Sequence, residues 1–398
     1  MAKSFEKVLT DAQMEVYEDA WQIDDSALPG FEGPPWSITK FTLVGGKQHG
    51  VDMVEIDNGE MTISAIPTRG MNVLEAGTGE VVLGFDSPVR EVVHPAYVNS
   101  AARGGLGFLE GFGELMCRCG LESHGAPGPD VITDNTGAES TVILPLHGTI
   151  SNTPASRVWV NVQASPPHRL SVWGEVYDTR MFGPSYMLRT CIWTVPGASE
   201  FTISDQIFNV GGQTAEMELL YHCNFGRPLL GKGSRLVAPV RRISARDERA
   251  LEGLKEWDVY DGPRAGYKEQ CYMLKLHGDR RGRTAVALVA PGGETAANLR
   301  FALKALPAFT LWKNTAAEAD GYVTGLEPGS DYPNPRSFER EKGRVVNLPP
   351  DGCYAADLTI GLVSGKGKVA ALRAEIAAMC KGKKTQVCAG IDSELAPT

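Results

Sequence analysis

Residues 170–210 read LSVWGEVYDTRMFGPSYMLRTCIWTVPGASEFTISDQIFNV. Three runs rich in Val, Ile, Thr and aromatic side chains, Leu170–Tyr177, Tyr186–Val195 and Phe201–Val210, are divided by the turn-forming clusters DTRMFGPS and PGASE. β-Branched and aromatic residues suit a pleated, half-buried surface, and Gly, Pro, Ser and Asp turn the chain, so the stretch predicts three consecutive strands. The same pattern extends outward from about residue 40 to 362, at Val51–Ile56, Met61–Ile66, Arg157–Val162, Glu216–Cys223, Cys271–Leu276, Thr284–Val289 and Tyr354–Val363. No helices alternate with these strands, which argues against a parallel sheet and for an all-β fold: a sandwich of two large antiparallel sheets.

Helix signals are confined to the flanks. Phe5–Ala20 is expected to form a helix before Trp21, and Lys366–Met379 spaces Val369, Leu372, Ile376 and Met379 as an amphipathic helix does. The expected organisation is an N-terminal helical or irregular extension over 1–39, one β-sandwich domain over 40–363, and a C-terminal helix and tail over 364–398. Within the sandwich, residues 104–129 hold eight glycines in 26 residues and no long strand, the composition of an irregular segment reaching over a site.

Bulk properties narrow the function. The chain has 398 residues, 42% apolar and 22% charged, with a formal charge of −9. Lys and Arg never gather into a stripe with aromatics between them, so no nucleic-acid partner is expected. No apolar run approaches the ~18 residues that would span a bilayer, and the mixed-charge start predicts a cytoplasmic protein away from membranes. Eight cysteines are dispersed, and Cys117 and Cys119 lack the two-residue gap of a structural zinc site. HExxH, GxSxG and EF-hand motifs are absent, and the near P-loop at 226–233 has glycine at the Ser/Thr position.

Among the seven histidines, His147 in LPLHGTISNTPA and His222 in YHCNFGRPLL stand in unusual settings. Alternation along Glu216–Asn224 puts Met217, Leu219, Tyr221 and Cys223 on one face and Glu218, Leu220, His222 and Asn224 on the other. The second face is polar; it either meets solvent or lines a concave ligand site in which imidazole acts as acid or base. Glu327 ends the strand Tyr322–Leu326, among Trp312, Tyr322 and Tyr332, where partial burial would raise its basicity; a turn-forming acid is the alternative. Arg69, between Pro67 and Gly70, offers a fork of donors for sugar hydroxyls or a surface charge. Trp173, Glu175 and Tyr177 share a strand face that suits either a sugar platform or packing between sheets.

These residues carry a resemblance. The segments PTRGMNV, MCRCGLESHGAP, LPLHGTISNTPA, WGEVYDTRMFG, LLYHCNFGRPLL and LWKNTAAEADGYVTGLEPGSDYPNPRS resemble the aldose 1-epimerase, or galactose-mutarotase-like, superfamily, and within it a bacterial branch known as a domain of unknown function. The resemblance spans roughly residues 40–362. It implies a galactose mutarotase-like supersandwich in which Glu327 is general base on the anomeric hydroxyl, His222 general acid on the ring oxygen, and His147 with Arg69 bind and polarise the sugar. Asn224, Glu175, Lys313 and Trp312 join the expected substrate-binding set, and Asp178 and Asp258 are candidates for a substrate-gripping aspartate.

The expected activity is that of a cofactor-independent sugar 1-epimerase. Two alternatives stay open. One is a metal-assisted epimerase, isomerase or lyase acting on a keto-sugar or other modified sugar, with a divalent ion held by His147, His222 and Glu327. The other is a non-catalytic carbohydrate-binding protein. In each case the partner is a small-molecule sugar, and a homodimer is compatible with the sequence.

Overall fold

The computed structural model describes residues 4–79 and 81–397. Two large sheets face each other across one apolar core, with a two-stranded hairpin, Gly128–Thr133 and Glu139–Leu144, beside them. The ten-stranded sheet is centred on Leu170–Thr179, Ser185–Thr194, Glu200–Asn209 and Cys353–Ser364, all antiparallel. The opening stretch of sequence therefore forms consecutive neighbours at the middle of one sheet. The fourteen-stranded sheet runs through Gln270–Leu276, Ala308–Asn314, Val323–Gly329, Ala215–Phe225 and Met116–Leu121 at its centre.

Strand parity divides this second sheet into a core face and an outer face. Met217, Leu219, Tyr221 and Cys223 lie in the same apolar cluster as Ile192, Ile203, Ile207 and Leu358 of the other sheet. Leu220, on the opposite face, packs instead with Phe108, Phe112, Cys117 and Cys119. Cys117 pairs with His222 and Cys119 with Leu220, so the thiols line the outer face while Arg118 between them turns into the core.

Arg118 crosses that core. Its Nε donates to Asp205 Oδ2 (2.6 Å) and its Nη2 to Asp205 Oδ1 (3.1 Å), while Tyr221 Oη donates to the same carboxylate (2.8 Å). Both partners are fully buried, so each charge depends on the other for the solvation that water would have given. The pair fixes the site-bearing sheet against the ten-stranded sheet.

Three expectations are corrected. Phe5–Asp11 is a strand, not a helix, pairing with Arg157–Val162 from Phe5↔Val162 to Asp11↔Arg157. The chain then turns as Asp11 accepts from the N–H groups of Gln13 and Met14, with Glu15 at φ +54°. Pairing with an open sheet edge overrides a local helix signal. The N-terminal residues are consequently not a separate extension: Trp21–Asp24 pairs with Ser37–Thr42, a strand that crosses the expected boundary at 39/40. The glycine-rich segment also contains a strand, Met116–Leu121, in the middle of the larger sheet.

The C-terminal helix forms at Lys366–Met379 as expected, burying Val369, Leu372 and Ile376 against Ala285, Ala287, Val289 and Ala296 on the outer side of the ten-stranded sheet. Beyond it the chain crosses to the other sheet and buries Leu395 and Ala396 against Cys271, Met273 and Tyr332. Among the described residues no helix is long and apolar enough to cross a membrane.

Replacing Asp205 by Ala leaves Arg118 charged and unpaired in the core. Urea denaturation is expected to show a loss of about 3–5 kcal/mol; a change below ~1 kcal/mol would mean that the pair does not join the sheets.

Candidate active site

His222 lies on the outer face of the larger sheet, walled on three sides by aromatic rings. Phe112 packs edge-on at 5.2 Å between centroids, Trp312 at 5.4 Å and His147 at 5.2 Å; Phe108 in turn packs against His147 at 4.9 Å. The two phenylalanines come from the glycine-rich segment, which does reach over this face. His222 is 5% exposed and Glu327, on the neighbouring strand, 2%. Trp312 and His147 are the half-buried members, so the mouth of the cleft lies on their side.

His222 Nε2 is 3.2 Å from Glu327 Oε1. The contact lies off the direction of a formed hydrogen bond, and Oε1 is a buried oxygen without a hydrogen-bond partner. Gly325 makes this approach feasible. A Cβ there would stand 2.4 Å from Glu327 Oε1, 2.9 Å from His222 Cε1 and 3.2 Å from Trp312 Cε3.

The tautomer of His222 follows from its neighbour. The amide nitrogen of Asn224 donates to the carbonyls of Glu114 (2.9 Å) and His222 (3.1 Å), which turns Oδ1 toward His222 Nδ1 at 2.7 Å. An amide oxygen only accepts, so Nδ1 carries the proton and Nε2 presents a lone pair to Glu327. His147 is held likewise: its Nδ1 lies 2.8 Å from the carbonyl of His124, leaving Nε2 as the free acceptor.

Burial decides the charges. It presses the imidazole of His222 well below its usual range, helped by His147, and lowers His147 to about 4. Burial, with the nearby carboxylate of Glu269, raises Glu327 to about 8. At neutral pH the site therefore holds two neutral imidazoles with bare Nε2 atoms beside a protonated carboxyl group.

The other expected site residues divide. Trp312 belongs to the cleft and donates through Nε1 to Glu269 Oε2 (2.7 Å). Asn224 is fully buried with its amide committed, so it orients His222 instead of meeting a substrate. Arg69 is 0% exposed; its guanidinium is taken up by Glu114, the carbonyls of Val93 and Gly111, and Asn152, and it anchors the glycine-rich segment from below. Lys313 follows Trp312 by one residue and so points to the opposite face, where it donates to the carbonyls of Glu256 and Val259; burial lowers its ammonium to about 8. Glu175 is in the other sheet, paired with Arg189. Asp178 accepts from Thr149, and Asp258 pairs with Arg235. Among the described residues no group of three or more His, Cys, Asp or Glu side chains is arranged to hold a metal ion.

Sequence reasoning missed Phe108, Phe112, Gly325 and a second buried cluster of His124, Asp331 and Glu218. Parity did place Glu218 on the site face, and His124 sits in MCRCGLESHGAP. Nothing in the sequence pairs His124 with a residue more than two hundred positions away.

The fold is that of the galactose-mutarotase-like class. Residues 48–362 match the family described as a domain of unknown function, DUF4432, and the chain belongs to that family. A Klebsiella pneumoniae protein provisionally assigned as an aldose 1-epimerase is 36% identical, with a TM-score of 0.91 over 97% of this chain and 98% of that one. A galactose mutarotase-like protein of Clostridium acetobutylicum shares the fold at 13% identity, with a TM-score of 0.55 over 87% and 99% of the two chains. An Escherichia coli K12 protein, also provisionally assigned as an aldose 1-epimerase, does so at 13% identity and a TM-score of 0.51, over 79% and 100%. No curated protein matches the chain in sequence.

Two outcomes follow from this geometry. A carboxyl group raised by folding from 4.5 to about 8 contributes stability that is complete below 4.5 and is lost as pH rises through 8. Glu327→Gln, which needs no proton, is expected to gain melting temperature over the wild type progressively across that window and to hold the gain above it. A pH-independent difference would mean that Glu327 is ionised throughout. Gly325→Ala is expected to fold with a lowered melting temperature, because the added Cβ meets the Glu327 carboxyl end at 2.4 Å and the enclosed His222 ring at 2.9 Å. It should also separate Glu327 from His222 and lower turnover by about 10²-fold; wild-type turnover would show that their contact is not needed.

Proposed function

We propose that the chain is a cofactor-independent sugar 1-epimerase whose acid–base pair is Glu327 and His222. The observation that carries this reading is the carboxyl group of Glu327 and the Nε2 of His222 3.2 Å apart with no formed hydrogen bond between them, walled by aromatic rings; burial there favours the protonated carboxyl group and the neutral imidazole. An adjacent donor and acceptor suit the two oxygens that a cyclic sugar carries on its anomeric carbon.

His222 Nε2 takes the proton of the anomeric hydroxyl as Glu327 gives its proton to the ring oxygen. The bond between anomeric carbon and ring oxygen breaks, and a carbonyl forms at the anomeric carbon. Rotation about the adjoining carbon–carbon bond presents the other carbonyl face. The ring closes as the hydroxyl returns its proton to Glu327 and His222 returns its own to the carbonyl oxygen. Atoms and charges balance over the cycle, and no metal or redox group is required. This division reverses the roles implied by the superfamily resemblance, because the resting proton is on Glu327. His147 Nε2 accepts from a neighbouring sugar hydroxyl, and Trp312 gives the ring an apolar wall.

The test is anomer-exchange NMR on a panel of aldoses, ketoses, uronic acids and keto-sugars. Acceleration is expected for at least one sugar, with losses of about 10²–10⁴-fold in Glu327→Gln and His222→Ala. The rate should be level from pH 4 to 8, falling above about 8 as Glu327 loses its proton and below about 4 as His147 becomes charged. Unchanged rates in both variants would overturn the assignment. Saturable sugar binding with no exchange in the wild type would instead indicate a recognition protein.

A further inference from the structure

Behind His147 lies a second buried imidazole that the scheme above leaves unused. His124 is 0% exposed and its Nε2 is hydrogen-bonded to Asp331 Oδ1, also 0% exposed. Its backbone N–H donates to Glu218 Oε2 at 3.2 Å. Its carbonyl accepts from His147 Nδ1 at 2.8 Å, and that contact alone leaves His147 Nε2 as the acceptor facing the cleft.

Beyond its packing against Phe108 and His222, the His147 ring has no other hydrogen bond among the described residues to aim it. Its backbone is left-handed, at φ +59°, and its N–H reaches only the carbonyl of Gly125 at 3.2 Å. Two of its anchors, the carbonyls of residues 124 and 125, belong to the segment that the His124 side chain ties down, and a third is the N–H of Gly120, which donates to the carbonyl of His147 at 3.1 Å. The tie ends at Asp331, four residues after Glu327 on the same stretch of chain. The histidine that meets the sugar is thereby referenced to the strand that carries the acid.

We propose that His124, clamped by Asp331, is a positioning residue of this site: through its carbonyl it aims His147, and through its ring it acts on Glu327. The inference rests on the acid–base reading of the cleft. Burial alone would lower His124, but Asp331 outweighs it, with Glu218 and Glu339 adding to the pull, and the ring is raised to about 9. Burial raises both Glu218 and Asp331. Glu218 is raised to about 8 and keeps its proton at neutral pH, and the negative charge rests on Asp331, which touches the ring. Arg336 faces Glu218, and Arg344 and Glu339 face Asp331. Glu327 is faced by Glu269, which raises it, and by His124 and Arg246, which lower it. The thiols Cys119, Cys223 and Cys271 around Glu327 are all raised by burial and stay neutral. Nδ1 of His124, Oδ2 of Asp331 and Oε1 of Glu218 are buried without partners, a cost that an apolar filling would avoid.

The first test needs no variant and no activity. In wild-type protein with ¹⁵N-labelled histidine at pH 7, NMR is expected to find His147 neutral with its proton on Nδ1 and His124 doubly protonated. A proton on Nε2 of His147, or a neutral His124, would overturn the proposal whatever the protein catalyses. The second test uses His124→Gln and Asp331→Asn, both of which remove the cation while keeping a hydrogen-bonding side chain. Each is expected to lower kcat by about 10²-fold with little change in KM. Each should also move the alkaline fall of the rate profile upward, because Glu327 loses a neighbouring positive charge. Lower activity with that fall unmoved would mean that His124 serves the fold alone, and wild-type kinetics would mean that it does not position His147.

Discussion

Everything in this site depends on the two-residue period of one buried strand. Along Ala215–Phe225 alternate side chains go to the core and to the outer face. A shift of one residue would put His222 and Glu218 into the sandwich interior and expose Tyr221 and Cys223. The register is held from both sides: Met116–Leu121 pairs with the strand along one edge, Val323–Gly329 along the other, and the Arg118–Asp205–Tyr221 cluster locks the core face to the opposite sheet. Ionic groups are tolerated in that core because each finds a partner, and the arrangement costs mobility in the strands that carry the chemistry.

Given that register, the chemistry follows from exclusion of water. Phe112, Trp312 and His147 enclose His222, and burial then sets each protonation state: imidazoles neutral, the carboxyl group protonated. The second-neighbour bonds to Asn224 and to the His124 carbonyl decide which nitrogen of each ring is bare. A site made of three ordinary side chains thus acquires a defined donor and two defined acceptors. Direction is supplied by groups that never touch a substrate.

Much of the fold was legible in the sequence, because a large antiparallel sandwich writes its strands as separate β-branched runs; Arg157–Val162 and the helix Lys366–Met379 match residue for residue. The N-terminal strand was not, since Phe5–Asp11 is a strand only because the edge beside Arg157–Val162 needs a partner. Met116–Leu121 was hidden by its composition: MCRCGL lacks β-branched residues, and its alternation, thiols outward and guanidinium inward, has meaning only once the two sheets are placed. Of the candidate site, the sequence singled out His222, His147, Glu327 and Trp312 from parity, strand ends and resemblance, and the structure brings these four side chains together. Arg69, Asn224, Lys313 and Glu175 were expected there from resemblance, strand parity and residue type; the first three are buried with their polar groups on protein partners, and Glu175 lies in the other sheet, paired with Arg189. His124 and Asp331 were invisible because their pairing spans distant parts of the chain.

The central claim is that Glu327 holds a proton at neutral pH beside a neutral His222. Infrared difference spectroscopy between wild type and Glu327→Gln across pH 5–10 tests it most directly. The account predicts a carboxylic-acid carbonyl band at pH 7 that is missing in the variant and gives way to carboxylate absorption as pH passes about 8. Carboxylate absorption already present at pH 6, with no such band at any higher pH, would contradict it.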